Sequence, residues 1–295
     1  MTELAIALTD AAKTVERVLE EAMPHSDDLE GRLFDAMRYS TFAGGKRLRP
    51  FLVRESARLF DVPDAYAIRA GAAVELIHTY SLVHDDLPAM DDSDLRRGQP
   101  TAHKKLDEAT AIIAGDALLT LAFEVLADAR THPDAAVRCS LISSLAVAAG
   151  AVGMCGGQIY DLQAEDRTLD LESIKKLQSM KTGALFAYSC EAGALLAKAD
   201  DKARQALRSY AHDLGLAFQI ADDILDTEGD ETKVGKSIRR DAEAGKETFV
   251  SLLGLDKAKA EAAQLARSAA NHLDLFGDKA KLLQSAAFFV VERQT

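Results

Sequence analysis

This 295-residue sequence is short of several things, and each shortage narrows what the chain is. It has three cysteines, Cys139, Cys155 and Cys190, in no zinc-ligand spacing and too far apart to read as a disulfide framework. The setting expected from them is a reducing one, the cytoplasm. Basic residues are outnumbered, 35 against 47 acidic, giving a net charge of −12. General nucleic-acid binding needs a basic face and is not expected. No run of about 18 uninterrupted apolar residues occurs, so no membrane span is expected. The first ten residues are acidic and lack a basic n-region, so no signal peptide is expected either. Only six prolines punctuate the chain, and no strand-like alternation of useful length appears. With 48% hydrophobic and 28% charged residues, the expectation is one all-α domain over residues 1–295.

What is present is helical periodicity. Leu4, Leu8, Ala11, Val15, Val18 and Leu19 make an apolar stripe over residues 3–22, ended by Pro24. Further helices are predicted over 27–40, 51–60, 64–87, 105–130, 133–154, 170–198, 201–227, 248–271 and 279–293. The 64–87 segment is apolar all round, the mark of a central buried helix. Asp116 reads as a hydrogen-bonded core residue. Gly156-Gly157-Gln158 reads as a break or kink, with Asp161 just beyond. Lys181-Thr182-Gly183 reads as a weak point within a helix, able to free a backbone carbonyl or a hydroxyl. Residues 228–247 lose the apolar pattern and carry glycine and charge, as a lid would.

Two acidic clusters carry the chemistry. The first follows the apolar helix: Asp85, Asp86, Asp91, Asp92 and Asp94, then Arg96-Arg97. Carboxylates favour hard cations, and adjacent arginines favour phosphate. Carboxylates at a helix C-terminus face the negative end of its dipole and are costly there without a cation. Asp85 and Asp91 are six apart, on different faces of a regular helix. Pro88 disfavours helical geometry at Leu87, so the chain is expected to fold Asp91 back toward Asp85. The second cluster is Asp222-Asp223-Ile224-Leu225-Asp226, whose outer carboxylates are four apart and share one helix face. Separately, Gly44-Gly45-Lys46-Arg47-Leu48-Arg49-Pro50 offers a glycine turn and three cations to one anion. Taken alone, that motif reads more simply as a helix-start loop with solvated charge. Either acidic cluster alone reads as a solvated helix end. Two clusters, each closing an apolar helix, together with several basic motifs, point to a phosphorylated substrate bound through metal.

Taken together, these motifs resemble the short-chain trans-prenyltransferases, and among them the bacterial farnesyl diphosphate synthases. The likeness extends over most of the chain. It rests on residues 44–50, on Asp85 to Asp91 with Arg96-Arg97-Gly98, on Gly156-Gly157-Gln158, on Lys181-Thr182 and on Gln219 to Asp226. The resemblance implies an all-α isoprenoid-synthase bundle around a deep central apolar cavity, as a homodimer. It implies condensation of isopentenyl diphosphate with an allylic diphosphate, dimethylallyl or geranyl, to farnesyl diphosphate, with three Mg²⁺ ions bound. Asp85, Asp91 and Asp222 would bind the metal, supported by Asp86, Asp223 and Asp226. Arg96, Lys181, Lys236 and Lys246 would hold the allylic diphosphate, and Lys46, Arg49, His78 and Arg97 the isopentenyl diphosphate. Lys181, Thr182 and Gln219 would act at the reacting centre. Tyr80, five residues before Asp85 and about 7.5 Å down the helix, would with its neighbour Ser81 limit product length. Two departures stand out. Arg239 occupies a lid position where the family usually has glycine, and only one arginine, Arg293, remains at the C-terminus.

Rival readings are few. A geranylgeranyl diphosphate synthase is the nearest, with Tyr80 against it. A terpene cyclase has no need of a second diphosphate site, so Lys46, Arg49 and Arg97 argue against one. His84-Asp85 suggests a metal phosphohydrolase of the His-Asp type, but the other histidines form no matching pattern. A non-catalytic partner subunit does not need both acidic clusters intact.

Overall fold

The structure is a computed structural model; it describes residues 2–164, 167, 169–228 and 247–292. The elements in order are α1 (Glu3–Ala22), α2 (Gly31–Thr41), α3 (Leu48–Arg58), α4 (Asp64–Asp85), β1 (Leu95–Arg96), β2 (Gln99–Pro100), α5 (Ala102–Lys105), α6 (Glu108–Ala127), α7 (Ala135–Ala149) and α8 (Met154–Ala164). Then come α9 (Leu171–Gln178), a π-helical turn (Ser179–Gly183), α10 (Ala184–Leu196), α11 (Asp201–Glu228), α12 (Phe249–Leu253), α13 (Leu255–His272), a 3₁₀ segment (Asp274–Ala280) and α14 (Lys281–Glu292). The all-α expectation holds, with one addition. Leu95 and Arg96 pair antiparallel with Pro100 and Gln99 in a minimal hairpin that no alternation announced.

Contacts divide the chain into two compact units. One takes the chain up to Arg54 and Pro63–Ile142; the other takes Glu55–Val62 and the chain from Ser143 onward. In the first unit, α1 starts where the Thr2 hydroxyl accepts the Ala5 amide, and its stripe of Leu4, Ala11, Val15 and Leu19 is buried. Helix α4 is buried on every side from Ala67 to Leu76 and packs against α1, α2 and α6. It ends at Asp85, two residues before the predicted end, because Leu87 precedes Pro88. The helix predicted over 105–130 is α6, shorter at both ends; it starts where Asp107 accepts the Thr110 amide at 2.7 Å, after the separate short α5. That bond, the Thr110 hydroxyl and Arg32 hold the Asp107 carboxyl down to about 2. Asp116 lies on the exposed side of α6, which corrects its reading as a core residue.

In the second unit, α11 presents its apolar face to α10, α13 and α14. Alanines 258, 262, 266 and 269 make one side of α13 small and buried, so it can lie close against α11. Gly156-Gly157 does not break the chain. Both lie inside α8, where a Cβ on Gly157 would sit 2.2 Å from the Lys181 backbone nitrogen. The pair permits close packing, and the irregularity falls instead in the π-helical turn that contains Lys181-Thr182-Gly183. Cys139, Cys155 and Cys190 are free thiols. Glu108–Ala127 and Ala135–Ala164 are long and apolar enough to cross a membrane by length and composition, a test that the sequence reading did not expect any segment to meet. Two such helices are weak evidence of a membrane span, since a core helix of a soluble protein can pass the same test.

Candidate active site

In the first unit the site begins where α4 stops. Leu87 donates to the His84 carbonyl, Met90 to that of Leu87, and the Asp91 amide donates to the Asp85 carbonyl at 2.9 Å. The expected fold-back is therefore present in the backbone. The remaining carboxylates of the cluster are engaged elsewhere. Asp86 is buried and accepts from Arg96 Nε at 3.0 Å, and Lys104 Nζ lies 2.9 Å from Asp94 and 3.9 Å from Asp92. Burial raises the Asp86 pKa although Arg96 opposes it. Asp86 thus makes a buried ion pair, while Asp92 and Asp94 pair with Lys104 at the surface. Asp85 and Asp91 are brought together, and Arg96 lies within the field of both.

Arg96 and Arg97 ride on the hairpin. Arg97 has φ +53° and Gly98 φ +76°, as a tight two-residue turn between twisted strands requires. Gly45, at φ +127°, lies directly under the Arg97 guanidinium, where a Cβ would meet Nη1 at 2.5 Å. Two basic motifs fifty residues apart in the chain thus adjoin. His78 shares their field. Burial and the charges of Arg49, Arg97, Arg96 and Arg47 hold its pKa well below the ordinary value, so the imidazole is neutral at neutral pH. Of the three cations at 46–49, one is committed inward. Arg47 is 3% exposed, donates to Glu75 at 2.8 Å and to the Thr41 carbonyl at 2.6 Å, and holds φ +48°. That removes Arg47 from the three cations the glycine turn offers to one anion; the site expectation names only Lys46 and Arg49. The buried Glu75, which no motif marked, is what anchors the turn.

Tyr80 is 7% exposed on α4, edge-on to His84 with ring centroids 5.8 Å apart. The Ser81 hydroxyl donates to the His78 carbonyl at 2.9 Å. His84 Nε2 lies 3.0 Å from the Ile112 carbonyl, and Gly115 leaves room for its ring. A backbone partner of this kind is no metal ligand set, which removes the basis for a His-Asp phosphohydrolase.

In the second unit, Asp222 and Asp226 share one face of α11 at partly exposed positions. Asp223 points inward, accepting from Gln219 Nε2 at 3.1 Å and from the Phe249 amide at 2.9 Å. The Thr182 hydroxyl faces Gln219 Oε1 at 3.4 Å. Lys181 Nζ donates to Asp161 Oδ2 at 2.6 Å. The pairing of Asp161 with Lys181 was not legible from their spacing, because α8 and the π-helical turn meet only in the fold. Lys236, Lys246, Arg239 and Arg293 lie outside the described residues. Among the described residues, no three His, Cys, Asp or Glu side chains converge as a protein-only metal cage.

The chain matches the family model described as polyprenyl synthetase over residues 30–285. It is 46% identical over 267 residues to the farnesyl diphosphate synthase of Escherichia coli strain K12, covering 88% of each chain. It is 44% identical over 258 residues to the farnesyl diphosphate synthase of Bacillus subtilis strain 168, covering 87% of each. Its structure is similar to the crystal structure of an FPP/GFPP synthase from Zymomonas mobilis, with a TM-score of 0.89, 46% identity and 98% of each chain covered.

Proposed function

The chain belongs to the polyprenyl synthetase family, and from that premise we propose that it is a Mg²⁺-dependent trans-prenyltransferase making farnesyl diphosphate. Its substrates are isopentenyl diphosphate and an allylic diphosphate, dimethylallyl or geranyl. The observation that carries this reading is the fold-back of Asp91 onto Asp85 within the field of Arg96. It gives a pair of hard oxygen donors next to a phosphate-type cation.

The donor set fits Mg²⁺, which takes a few carboxylates and completes its shell with water and substrate phosphate. In the first unit Asp85 and Asp91 would hold it, with Asp86 behind them; in the second, Asp222 is the corresponding metal ligand, with Asp223 and Asp226 behind it. Bound Mg²⁺ supplies positive charge to the departing diphosphate. The side chains do the rest. Arg96 and Lys181 hold the allylic diphosphate, so that its C–O bond breaks with the electron pair on the leaving oxygen. Lys46, Arg49, His78 and Arg97 hold the isopentenyl diphosphate, whose double bond attacks the allylic carbon. The Thr182 hydroxyl and Gln219 amide oxygens stabilise the cation, and the released diphosphate takes the proton lost from the new chain. Exclusion of water keeps the cation from becoming an alcohol.

A homodimer in the cytoplasm completes the proposal. Ile112 and Ile113 on α6 are 43% and 53% exposed, apolar surface that a second copy would cover without a membrane. The three free thiols accord with a reducing compartment. The test is incubation of the purified protein with isopentenyl and dimethylallyl diphosphates plus Mg²⁺, followed by chain-length analysis. A fifteen-carbon product is expected. A mainly twenty-carbon product would favour the geranylgeranyl alternative, and no condensation would overturn the reading.

A further inference from the structure

The hairpin that carries Arg96 and Arg97 has two residues per strand, too little to hold itself together in water. It is held at its base by a cluster of buried polar groups. Ser93 is 4% exposed, Thr101 2% and His103 7%. The Thr101 amide donates to the Asp94 carbonyl at 3.0 Å, and the Ser93 amide donates to the Asp86 carbonyl at 3.2 Å. The Thr101 hydroxyl lies 2.8 Å from the Ser93 carbonyl and 3.1 Å from His103 Nδ1.

These distances assign the proton. A carbonyl only accepts, so the single hydroxyl proton of Thr101 goes to Ser93. The bond between Thr101 and His103 must then be donated by Nδ1–H, which fixes the tautomer. Nε2 is left buried with no partner. A buried imidazole with one nitrogen orphaned is costly, so its worth to the fold must come through the Nδ1 bond.

We infer that His103 is a positioning residue for the two diphosphate-binding arginines: its Nδ1–H, through the Thr101 hydroxyl and the Ser93 carbonyl, clamps the base of the hairpin. From Ser93 the chain of bonds reaches Asp86, and from Asp86 it returns to Arg96. His103 stands at the end of this chain of bonds, on the Thr101 hydroxyl that makes the link to Ser93. The inference rests on the reading of Arg96 and Arg97 as diphosphate ligands.

The test uses the amide isosteres. His103→Asn keeps a donor near the Nδ1 position, His103→Gln moves it toward Nε2, and His103→Leu removes it. Expected is a rise of about tenfold in KM for both diphosphates in the Leu and Gln variants, the size of one lost buried hydrogen bond. The Asn variant should stay within about threefold of the parent by the same scale. Thr101→Val, which also loses the Ser93 bond, should be at least as severe as the Leu variant, and the double variant should be no worse than Thr101→Val alone. Equal losses in the Asn and Gln variants, or unchanged KM in the Leu variant, would overturn the clamp. Should the Leu variant fail to fold, the Asn-against-Gln comparison decides. Titration calorimetry with inorganic diphosphate reads the same clamp without turnover. A parent that binds diphosphate in a His103-dependent way yet condenses nothing would sink the proposed reaction and leave the clamp standing.

Discussion

The Asp91 amide donates to the Asp85 carbonyl across 2.9 Å, although a regular helix would send these two residues to different faces. Pro88 is what stops the helix from continuing. Replacing it with alanine restores an amide donor and lifts the restriction on Leu87. Pro88→Ala is expected to lower kcat/KM by about 10²-fold, the scale of a misplacement of about 1 Å, and to raise the Mg²⁺ requirement, with little change in Tm. A Mg²⁺ titration of the initial rate checks it; an unchanged dependence would mean that the fold-back does not need the proline.

The Arg47–Glu75 pair is almost wholly buried, at 1% and 3% side-chain exposure. Glu75→Gln leaves the buried cation to the half-exposed Glu16, 3.4 Å away, and should cost up to about 3–5 kcal/mol of stability. Substituting both partners by apolar residues, Arg47→Met with Glu75→Leu, should recover much of that loss. Urea unfolding of the three variants measures it. A double variant as unstable as the single one would assign the cost to packing.

Asp161 holds Lys181 at 2.6 Å. Asp161→Asn should raise KM for the allylic diphosphate roughly tenfold and leave KM for isopentenyl diphosphate unchanged, since a charge-assisted bond is lost on one side only. Equal effects on both substrates would mean that Lys181 does not serve the allylic group alone.

Tyr80 sits buried five residues before Asp85. Tyr80→Ala should shift the product toward twenty carbons or more, read by chain-length analysis at matched turnover. An unchanged distribution would leave the ring as core filling.

His78 carries a pH signature. Its folded pKa is depressed by burial and four arginines, so above the unfolded value of about 6.5 it is neutral in both states and costs nothing. Below that, the unfolded chain binds the proton and the folded chain does not, so stability falls as pH falls. His78→Asn should flatten this acid slope in the ligand-free protein. Tm values at pH 7.5 and 5.5 for the two proteins test it; parallel slopes would place the acid sensitivity elsewhere.

Much of this protein is legible in its sequence because it is written in local chemistry. Apolar periodicity marks α1 and α4, Pro88 brings α4 to an end, and the four-residue spacing of Asp222 and Asp226 puts them on one face. These features depend on residues within a few positions of one another, so no tertiary contact is needed to read them. What each charge does is another matter. Five carboxylates stand at and just after the end of α4, and only the fold gives Asp86 to Arg96 and Asp94 to Lys104. Three cations follow Gly45, and only the fold turns Arg47 inward to Glu75. Asp116 faces out because α6 buries its other side, and Gly157 serves packing because Lys181 lies against it. A side chain's role is set by burial and by partners, and those partners lie tens of residues away along the chain. The sequence by itself determined which groups could bind metal and phosphate; the tertiary structure decided which of them were already committed to holding the fold.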